Sequence, residues 1–210
     1  LDRVTSFLSS HPYQWEIVVV ESGSMDNTLN IIREVANNNP KIKIIHQEHR
    51  EGMGSALRAG YAQCSCDLIW HVESDSPFDT NNLISALPLL QAADFVAGYR
   101  IGKRESFMRW LYSFVYNRLV RLLFRLRVTD VNFSFKVFKR ANLEKIKLRS
   151  SGWFIDAELL IETKKHGFKI AELGIPYNQR IAGSSTVSIF TPLPILKEMF
   201  IYRIKYFHSS

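Results

Sequence analysis

Short runs of apolar, often β-branched residues alternate with amphipathic helical patterns through the first half of this chain. The alternation is typical of parallel strands that are joined by crossover helices. It therefore predicts an α/β fold, with strands at residues 17–20, 43–46, 68–72 and 95–98. The helices expected around these strands cover residues 2–9, 27–37, 55–63 and 80–90.

The second half has a different pattern. It predicts a long basic helix, a strand, a helix, another strand and a final helix, at residues 107–126, 134–138, 155–165, 169–175 and 191–207. The length of 210 residues favours one domain, which we place at residues 1–190. Residues 191–210 are amphipathic and basic, a composition typical of a helix at a membrane interface, although such a helix also fits packing on the core.

The charge balance indicates an anionic partner. The chain has 27 basic and 20 acidic residues, which suits phosphate groups, acidic lipid or nucleic acid. Nucleic acid is disfavoured because the basic residues form no recognisable motif. Cys64 and Cys66 are too close in sequence for ordinary disulfide geometry, so we expect reduced thiols and a cytosolic location. No run of 18 apolar residues predicts a membrane span within the chain.

An acidic turn follows the first predicted strand. Ligands of open parallel sheets bind beyond the carboxyl ends of the strands, so this turn is a candidate site. Gly23 permits a tight turn, and Ser24 or Asp26 is able to cap the next helix. Capping does not explain Glu21, because a carboxylate at a strand end is costly to desolvate without a ligand or donor.

A second acidic pair follows the third predicted strand. Glu73 and Asp75 are two residues apart, and in an extended segment such residues project to the same side. Two like charges held that close need a cation. Mg²⁺ or Mn²⁺, held by one or two carboxylates and completed by substrate phosphates, is the usual arrangement for nucleotide substrates.

Several blocks of sequence resemble family-two glycosyltransferases. The stretch Val-Val-Val-Glu-Ser-Gly-Ser-Met-Asp-Asn-Thr is similar to the family signature Val-Asp-Asp-Gly-Ser-x-Asp-x-Thr. Glu73-Ser74-Asp75 stands where the family has its Asp-x-Asp metal motif. Further blocks resemble the Gly-Lys-Gly-x-Ala segment of the family and its dolichyl-phosphate mannose synthase branch, at residues 49–60, 98–100, 130–140, 156–160 and 179–185.

The resemblance implies the glycosyltransferase-A fold, a three-layer, Rossmann-like arrangement with a mostly parallel central sheet and helices on both faces. It also implies roles for individual residues. The nucleotide-sugar site would comprise Glu21, Gly23, Asp26, Gly52, Gly54 and Glu73. The metal ligands would be Glu73 and Asp75, and the catalytic residues Asp75, Arg100 and Asp130. The acceptor and its phosphate would contact Arg109, Arg180 and Ser184, although Arg109 is one of many arginines on a basic helix.

The chain departs from the family pattern in five places. Glu21 and Ser22 replace paired aspartates, Glu73 replaces the first metal aspartate, Pro77 replaces a common glutamine, and Thr186 replaces a common phosphate-binding lysine. The first strand of the family, with the turn that holds the nucleotide base, has no counterpart before residue 2. We expect about 20 to 30 residues, one strand with its turn and part of a helix, to precede the chain.

The resemblance favours an inverting displacement that moves a hexose from a GDP- or UDP-linked donor to a polyprenyl or dolichyl phosphate. A phosphate monoester needs no general base, because its second pKa near 6 leaves it mostly dianionic. The reaction is expected at the cytosolic face of a membrane, with a membrane-spanning segment or a partner beyond the given ends as a further option. One alternative is transfer to a sugar, lipid or protein hydroxyl, with Asp130 as the base. Another is a non-catalytic binding module on the same fold.

Overall fold

A computed structural model describes residues 1–74, 78–102, 107–176 and 192–207 of the chain. Its strands are β1 (Ile17–Ser22), β2 (Ile42–Gln47), β3 (Leu68–His71), β4 (Phe95–Ile101), β5 (Lys136–Lys139) and β6 (Ile170–Pro176). Its α-helices are α1 (Asp2–Ser9), α2 (Thr28–Asn37), α3 (Met53–Ala62), α4 (Asn82–Ala86), α5 (Phe107–Phe124), α6 (Arg140–Leu143), α7 (Ile155–Lys165) and α8 (Pro192–Lys205).

The described strands form two sheets. β1 and β2 pair in parallel, with Glu21 opposite His46. The second sheet has the order β3-β5-β4-β6, in which β4 and β6 are parallel and β5 runs antiparallel to both of its neighbours. Five of the six strands therefore point the same way within their sheets, which confirms the expectation of a mostly parallel α/β fold.

Alternating side chains of the four-stranded sheet face two separate cores. Phe95, Ala97 and Phe138 belong to a core that also contains residues of α3, α5, α7 and α8. Val96 and Val137 face the opposite core, against α1 and α4. Because successive residues of a strand point to opposite faces, this pattern places helices on both sides of the sheet, as the three-layer prediction requires.

A cleft of about 1720 Å³ separates parts of the two sheets. Residues of β1 and β3 both line it, and α3, α5 and α8 contribute further walls. In the described part of the chain, no strand bridges β1 and β3 by backbone hydrogen bonds. Of the two predicted acidic strand ends, the one after β3 lines the cleft, through Glu73.

Two predicted helices end differently in the structure. The helix expected at residues 80–90 is split, because Pro88 has no N–H to continue the α-helix and a 3₁₀ turn, Pro88–Gln91, follows. The helix expected to reach residue 126 ends at Phe124, since Arg125 adopts a left-handed φ of 54°. The short helix α6 was not predicted. The proposed domain boundary at residue 190 lies outside the described residues.

Candidate active site

Glu21 ends β1 and holds the turn that follows it. Only 3% of Glu21 is exposed. Its Oε1 accepts a hydrogen bond from the Ser24 amide at 2.6 Å, and its Oε2 lies 2.6 Å from Nδ1 of His46. These contacts, with the Ser24 hydrogen bonds foremost, keep the pKa of Glu21 below its ordinary value. From the sequence alone, Glu21 had no identified partner. In the structure its carboxylate is held by the Ser24 amide and His46, and these contacts fix the shape of the turn.

The turn packs against the segment that leads into α3. Gly23 has a φ of 60°, and a Cβ there would lie 3.1 Å from the backbone nitrogen of Arg50. Asp26 is exposed and accepts a hydrogen bond from the Thr28 amide at 3.0 Å, at the start of α2. The N-cap position of α2 is Asn27, so Asp26 stabilises the turn just before the helix, and its predicted contact with a nucleotide stays a prediction.

Gly52 and Gly54 are required by close backbone packing. A Cβ at Gly52 would lie 2.3 Å from the carbonyl oxygen of Ser151, and one at Gly54 would lie 2.3 Å from that of Ser150. The Gly54 amide donates to the Ser151 carbonyl at 2.9 Å. The amide of Gly54 is thus already used inside the protein, although the start of a helix would otherwise suit a phosphate.

Glu73 follows β3 and lines the cleft, as does Arg100 at the end of β4. Asp75, its predicted partner in metal binding, lies outside the described residues. Within the described ranges, no group of three His, Cys, Asp or Glu side chains is arranged to hold a metal ion. A site of one or two carboxylates completed by substrate phosphates would not require such a group, and the roles of Glu73 and Asp75 as metal ligands stay a prediction.

Arg100 and Asp130 form a bidentate ion pair. Arg100 Nε donates to Asp130 Oδ2 at 2.7 Å, and Nη2 donates to Oδ1 at 3.0 Å. Asp130 is 2% exposed, and the guanidinium of Arg100 lies over the Phe133 ring at 5.5 Å. Both carboxylate oxygens therefore hold the arginine in one orientation at the cleft.

A buried polar group that sequence reasoning did not assign lies beneath the cleft. Lys136 Nζ of β5 contacts Asp156 Oδ1 of α7 at 2.6 Å, with side-chain exposures of 1% and 4%. Nearby, the Tyr61 hydroxyl lies 3.2 Å from Nδ1 of His71. Burial lowers the pKa of His71 to about 4, so its imidazole is neutral at pH 7. Asp156 lies in residues 156–160, one of the blocks that resemble family-two glycosyltransferases. That resemblance was the signal in the sequence that could have pointed to this residue.

The predicted acceptor residues are mostly beyond the described part of the chain. Arg180 and Ser184 fall within residues 177–191, and only the backbone of Arg109 is described, in the first turn of α5. α8 lies along the surface with Phe200, Ile201 and Ile204 exposed by 47%, 39% and 78%. Its opposite face buries Met199 and Tyr202 in the core, so α8 both packs on the domain and exposes an apolar face.

Comparison with known sequences gives a family match. The sequence profile described as Glycosyl transferase family 2 matches residues 1–147. A dodecaprenyl-phosphate galacturonate synthase from Rhizobium johnstonii is 25% identical, over 98% of this chain and 63% of its own length. A dolichyl-phosphate beta-glucosyltransferase from Saccharomyces cerevisiae is 26% identical, over 98% of this chain and 69% of its own length.

The chain spans only part of the length of each of these relatives. The glycosyltransferase AglD of Haloferax volcanii is 26% identical over 86% of this chain, which spans only 30% of that protein. Among solved structures, glucosyl-3-phosphoglycerate synthase from Mycobacterium tuberculosis, in complex with Mn²⁺, UDP and glucosyl-3-phosphoglycerate, has a TM-score of 0.65 and 19% identity. That match covers 90% of this chain and 67% of the other, and it shows that the two share a fold.

Proposed function

The chain belongs to glycosyl transferase family 2 and has the glycosyltransferase-A fold, and from that premise we propose that it transfers a hexose from a nucleotide sugar to a polyprenyl phosphate. The relatives from Rhizobium johnstonii and Saccharomyces cerevisiae support the acceptor, since both are named for prenyl-phosphate sugar transfer or synthesis. The donor is expected to be UDP- or GDP-linked, and the solved structure with UDP and Mn²⁺ supports a nucleoside diphosphate in this fold.

The ion pair between Arg100 and Asp130 is the observation that favours a phosphate acceptor. A hydroxyl acceptor needs a base, and Asp130 was the best candidate in the sequence. Its two oxygens both accept hydrogen bonds from Arg100, and the side chain is almost fully buried. A carboxylate held in this way orients the arginine and is poorly placed to take a proton from a substrate.

Two other titratable groups near the cleft are equally unsuited to act as a base. Asp156 is paired with Lys136 in the interior. His71 is a weak base, because burial lowers its pKa to about 4. A phosphate monoester avoids the difficulty, since its second pKa near 6 makes it largely dianionic and nucleophilic at neutral pH.

Glu73 and Asp75 would hold the divalent metal, Mg²⁺ or Mn²⁺. Bound there, the metal would supply positive charge to the diphosphate that leaves as the sugar is transferred. Glu73 and Arg100 both line the cleft, which suits a carboxylate and a guanidinium that act on one diphosphate. The inverting displacement then requires the protein only to hold donor and acceptor in line and to stabilise the departing charge.

A membrane surface is the expected location of the acceptor. In the described residues, no helix combines the length and the apolar character needed to cross a bilayer. α5 and α8 pack together, and α5 exposes Trp110, Phe114 and Leu122 in addition to the exposed face of α8. Basic residues accompany these apolar side chains, as in helices that lie in the headgroup region. We place this surface against the cytosolic face.

The acceptor class is tested with a matched pair of lipids. Membranes carrying the full-length protein are incubated with radiolabelled UDP-glucose or GDP-mannose and either polyprenyl phosphate or the corresponding polyprenol. We expect label in the lipid extract only with the phosphate, because the alcohol needs a base that Asp130 does not supply. Transfer to the polyprenol at a comparable rate would overturn the proposal.

The variant Asp130→Asn distinguishes the two possible roles of Asp130, which are to orient Arg100 and to act as a general base. Asn keeps one acceptor for Arg100, so we expect transfer to fall by roughly tenfold with an unchanged pH profile. If Asp130 were the base, the loss would be about a hundredfold or more and the acidic limb of the profile would disappear. An unaltered protein that transfers sugar to no acceptor and binds no nucleotide sugar would instead indicate a binding module.

Membrane attachment is tested with lipid vesicles. Replacing Phe200 and Ile204 together by Ser should weaken cosedimentation with phosphatidylcholine vesicles that contain phosphatidylserine by about tenfold, since both side chains are exposed and apolar. Binding of the unaltered protein should also fall when phosphatidylserine is omitted. Ile31→Ser, which changes an exposed apolar residue on α2, is the control and should bind normally. Equal binding by all three proteins would refute this surface.

A further inference from the structure

The segment at residues 149–154, which leads into α7, is held by a carboxylate from α8. Glu198 Oε2 accepts a hydrogen bond from the Ser150 hydroxyl at 2.8 Å. Glu198 Oε1 accepts one from the Gly152 amide at 3.0 Å, and Oε2 accepts a weaker one from the Phe154 amide at 3.4 Å. A Cβ at Gly152 would lie 2.7 Å from Oε1, so the carboxylate lies directly against the backbone of the segment.

The same segment holds the start of α3. The Ser151 carbonyl accepts hydrogen bonds from the Gly54 amide at 2.9 Å and from the Ser55 amide at 3.3 Å. The contact is close enough that a side chain at Gly52 or Gly54 would collide with the backbone of Ser151 or Ser150. The beginning of α3 is therefore packed directly against the segment and hydrogen-bonded to it.

A second carboxylate fixes the other end of the segment. Glu158 of α7 accepts hydrogen bonds from the Arg149 amide at 2.8 Å and from the Ser150 amide at 2.7 Å. It is completely buried in α7. Glu158 thus anchors residues 149–150 to the core, which leaves residues 151–154 to be placed by Glu198.

The contacts continue from α3 to the turn after β1. Residues 48–50 lie just before α3, and the backbone of Gly23 packs against them, with 3.1 Å from its ideal Cβ position to the Arg50 nitrogen. The Ser22 hydroxyl also reaches the His49 carbonyl at 3.5 Å. A series of contacts therefore joins α8 to two turns in which the sequence predicts residues of the nucleotide-sugar site: the turn after β1, with Gly23, and the turn into α3, with Gly52 and Gly54.

We propose that Glu198 is a positioning residue, which sets the two nucleotide-sugar turns by holding residues 151–154 against the start of α3. This inference rests on the proposed function, because the proposed function is what assigns those turns to the nucleotide-sugar donor. Glu198 touches neither turn and acts only through the segment. α8 exposes Phe200 and Ile204 on its other face, so one helix joins the outer surface of the protein to its donor site.

Amide hydrogen exchange tests the coupling without any assay of activity. In Glu198→Gln, one carbonyl oxygen replaces the two oxygens that serve three donors, and the new NH₂ group faces a donor. We expect the amides of Gly54 and Ser55 to exchange about tenfold faster, because the Ser151 carbonyl that protects them loses its support. Glu144→Gln, the same change at an exposed residue of the domain, should leave both amides unaffected.

A milder variant covers the case in which Glu198→Gln folds poorly. Ser150→Ala removes one of the three hydrogen bonds to Glu198 and should raise exchange at Gly54 and Ser55 by a smaller factor in the same direction. The proposal is overturned if both variants leave exchange at these amides unchanged. It is also overturned if Glu198→Gln increases exchange equally throughout the domain, as general loss of stability would.

Kinetics give a second readout that a purely structural role would not move. In Glu198→Gln, the KM for the nucleotide sugar should rise about fivefold while kcat changes by less than about twofold, since the turns would bind the donor less well. A lower kcat at unchanged KM would mean fewer folded molecules and would contradict positioning. If the unaltered protein binds no nucleotide sugar, the proposed function fails, whereas exchange at Gly54 and Ser55 still decides the coupling.

Discussion

Replacing Asp75 by Asn is expected to lower the rate of sugar transfer by about a hundredfold or more, while the thermal melt of the protein stays unchanged. Asn keeps the size and much of the hydrogen bonding of Asp but removes the charge that would hold the cation. The position of Asp75, two residues beyond Glu73 at the end of β3, is what the prediction rests on, together with the metal motif that the segment resembles. Losing about 3 kcal/mol of stabilisation of the leaving diphosphate gives a factor of this size.

The measurement is transfer at saturating Mn²⁺ or Mg²⁺, with folding checked by the thermal melt. Glu73→Gln should be milder if its longer side chain contacts the metal through water. Asp2→Asn, the same change in the exposed first turn of α1, should transfer sugar normally. Near-normal, metal-dependent transfer by Asp75→Asn would refute the proposed metal site.

Replacing Lys136 by Met is expected to lower the free energy of unfolding by about 3 to 5 kcal/mol, because it leaves the charge of Asp156 buried without its partner. The Nζ of Lys136 also donates to the Phe133 carbonyl at 2.6 Å, and that contact is lost as well. Small domains are stable by only about 5 to 15 kcal/mol, so the variant should be close to unfolding. Urea unfolding followed by circular dichroism measures the change.

Two further variants identify the cause of the loss. Lys139 lies on the same strand as Lys136 and forms a partly exposed pair with Asp94, which precedes β4, at 3.2 Å. Lys139→Met breaks that pair and should cost less than about 1 kcal/mol. Combining Lys136→Met with Asp156→Leu removes both buried charges and should restore much of the lost stability. If Lys136→Met were no worse than Lys139→Met, the buried pair would not stabilise the fold as we describe.

The sequence was a good guide to the elements of the fold. All six strands lie within a few residues of their predicted positions, because short apolar runs with β-branched residues mark buried strands clearly. The fold class and the family resemblance are confirmed. The antiparallel direction of β5 and the division of the sheet were not predicted, since strand order depends on contacts between distant segments rather than on local periodicity.

The site was predicted less completely, for a related reason. Sequence reasoning selected Asp130 and Arg100 separately, but it had no means to pair two residues that lie 30 positions apart. Lys136 stands in an apolar run and gave no sign of its buried partner. The glycines of the segment before and within α3 were assigned to the nucleotide, whereas the structure shows a packing requirement at Gly52 and Gly54 that only the fold reveals. The predicted roles of Asp75, Arg180 and Ser184 fall outside the described residues and stay predictions.

Helix α3 connects the two hydrogen-bonded ladders of the described chain. The turn after β1 belongs to one hydrogen-bonded ladder, whereas Glu73 follows β3 and Arg100 lies near the end of β4 in the other. In the described chain these ladders meet through side chains and helix packing, as where Tyr61 of α3 contacts His71 of β3. Because α3 packs on β1 and also contacts β3, it sets the position of the turn after β1 relative to Glu73, and loosening its packing would displace one side of the predicted site from the other.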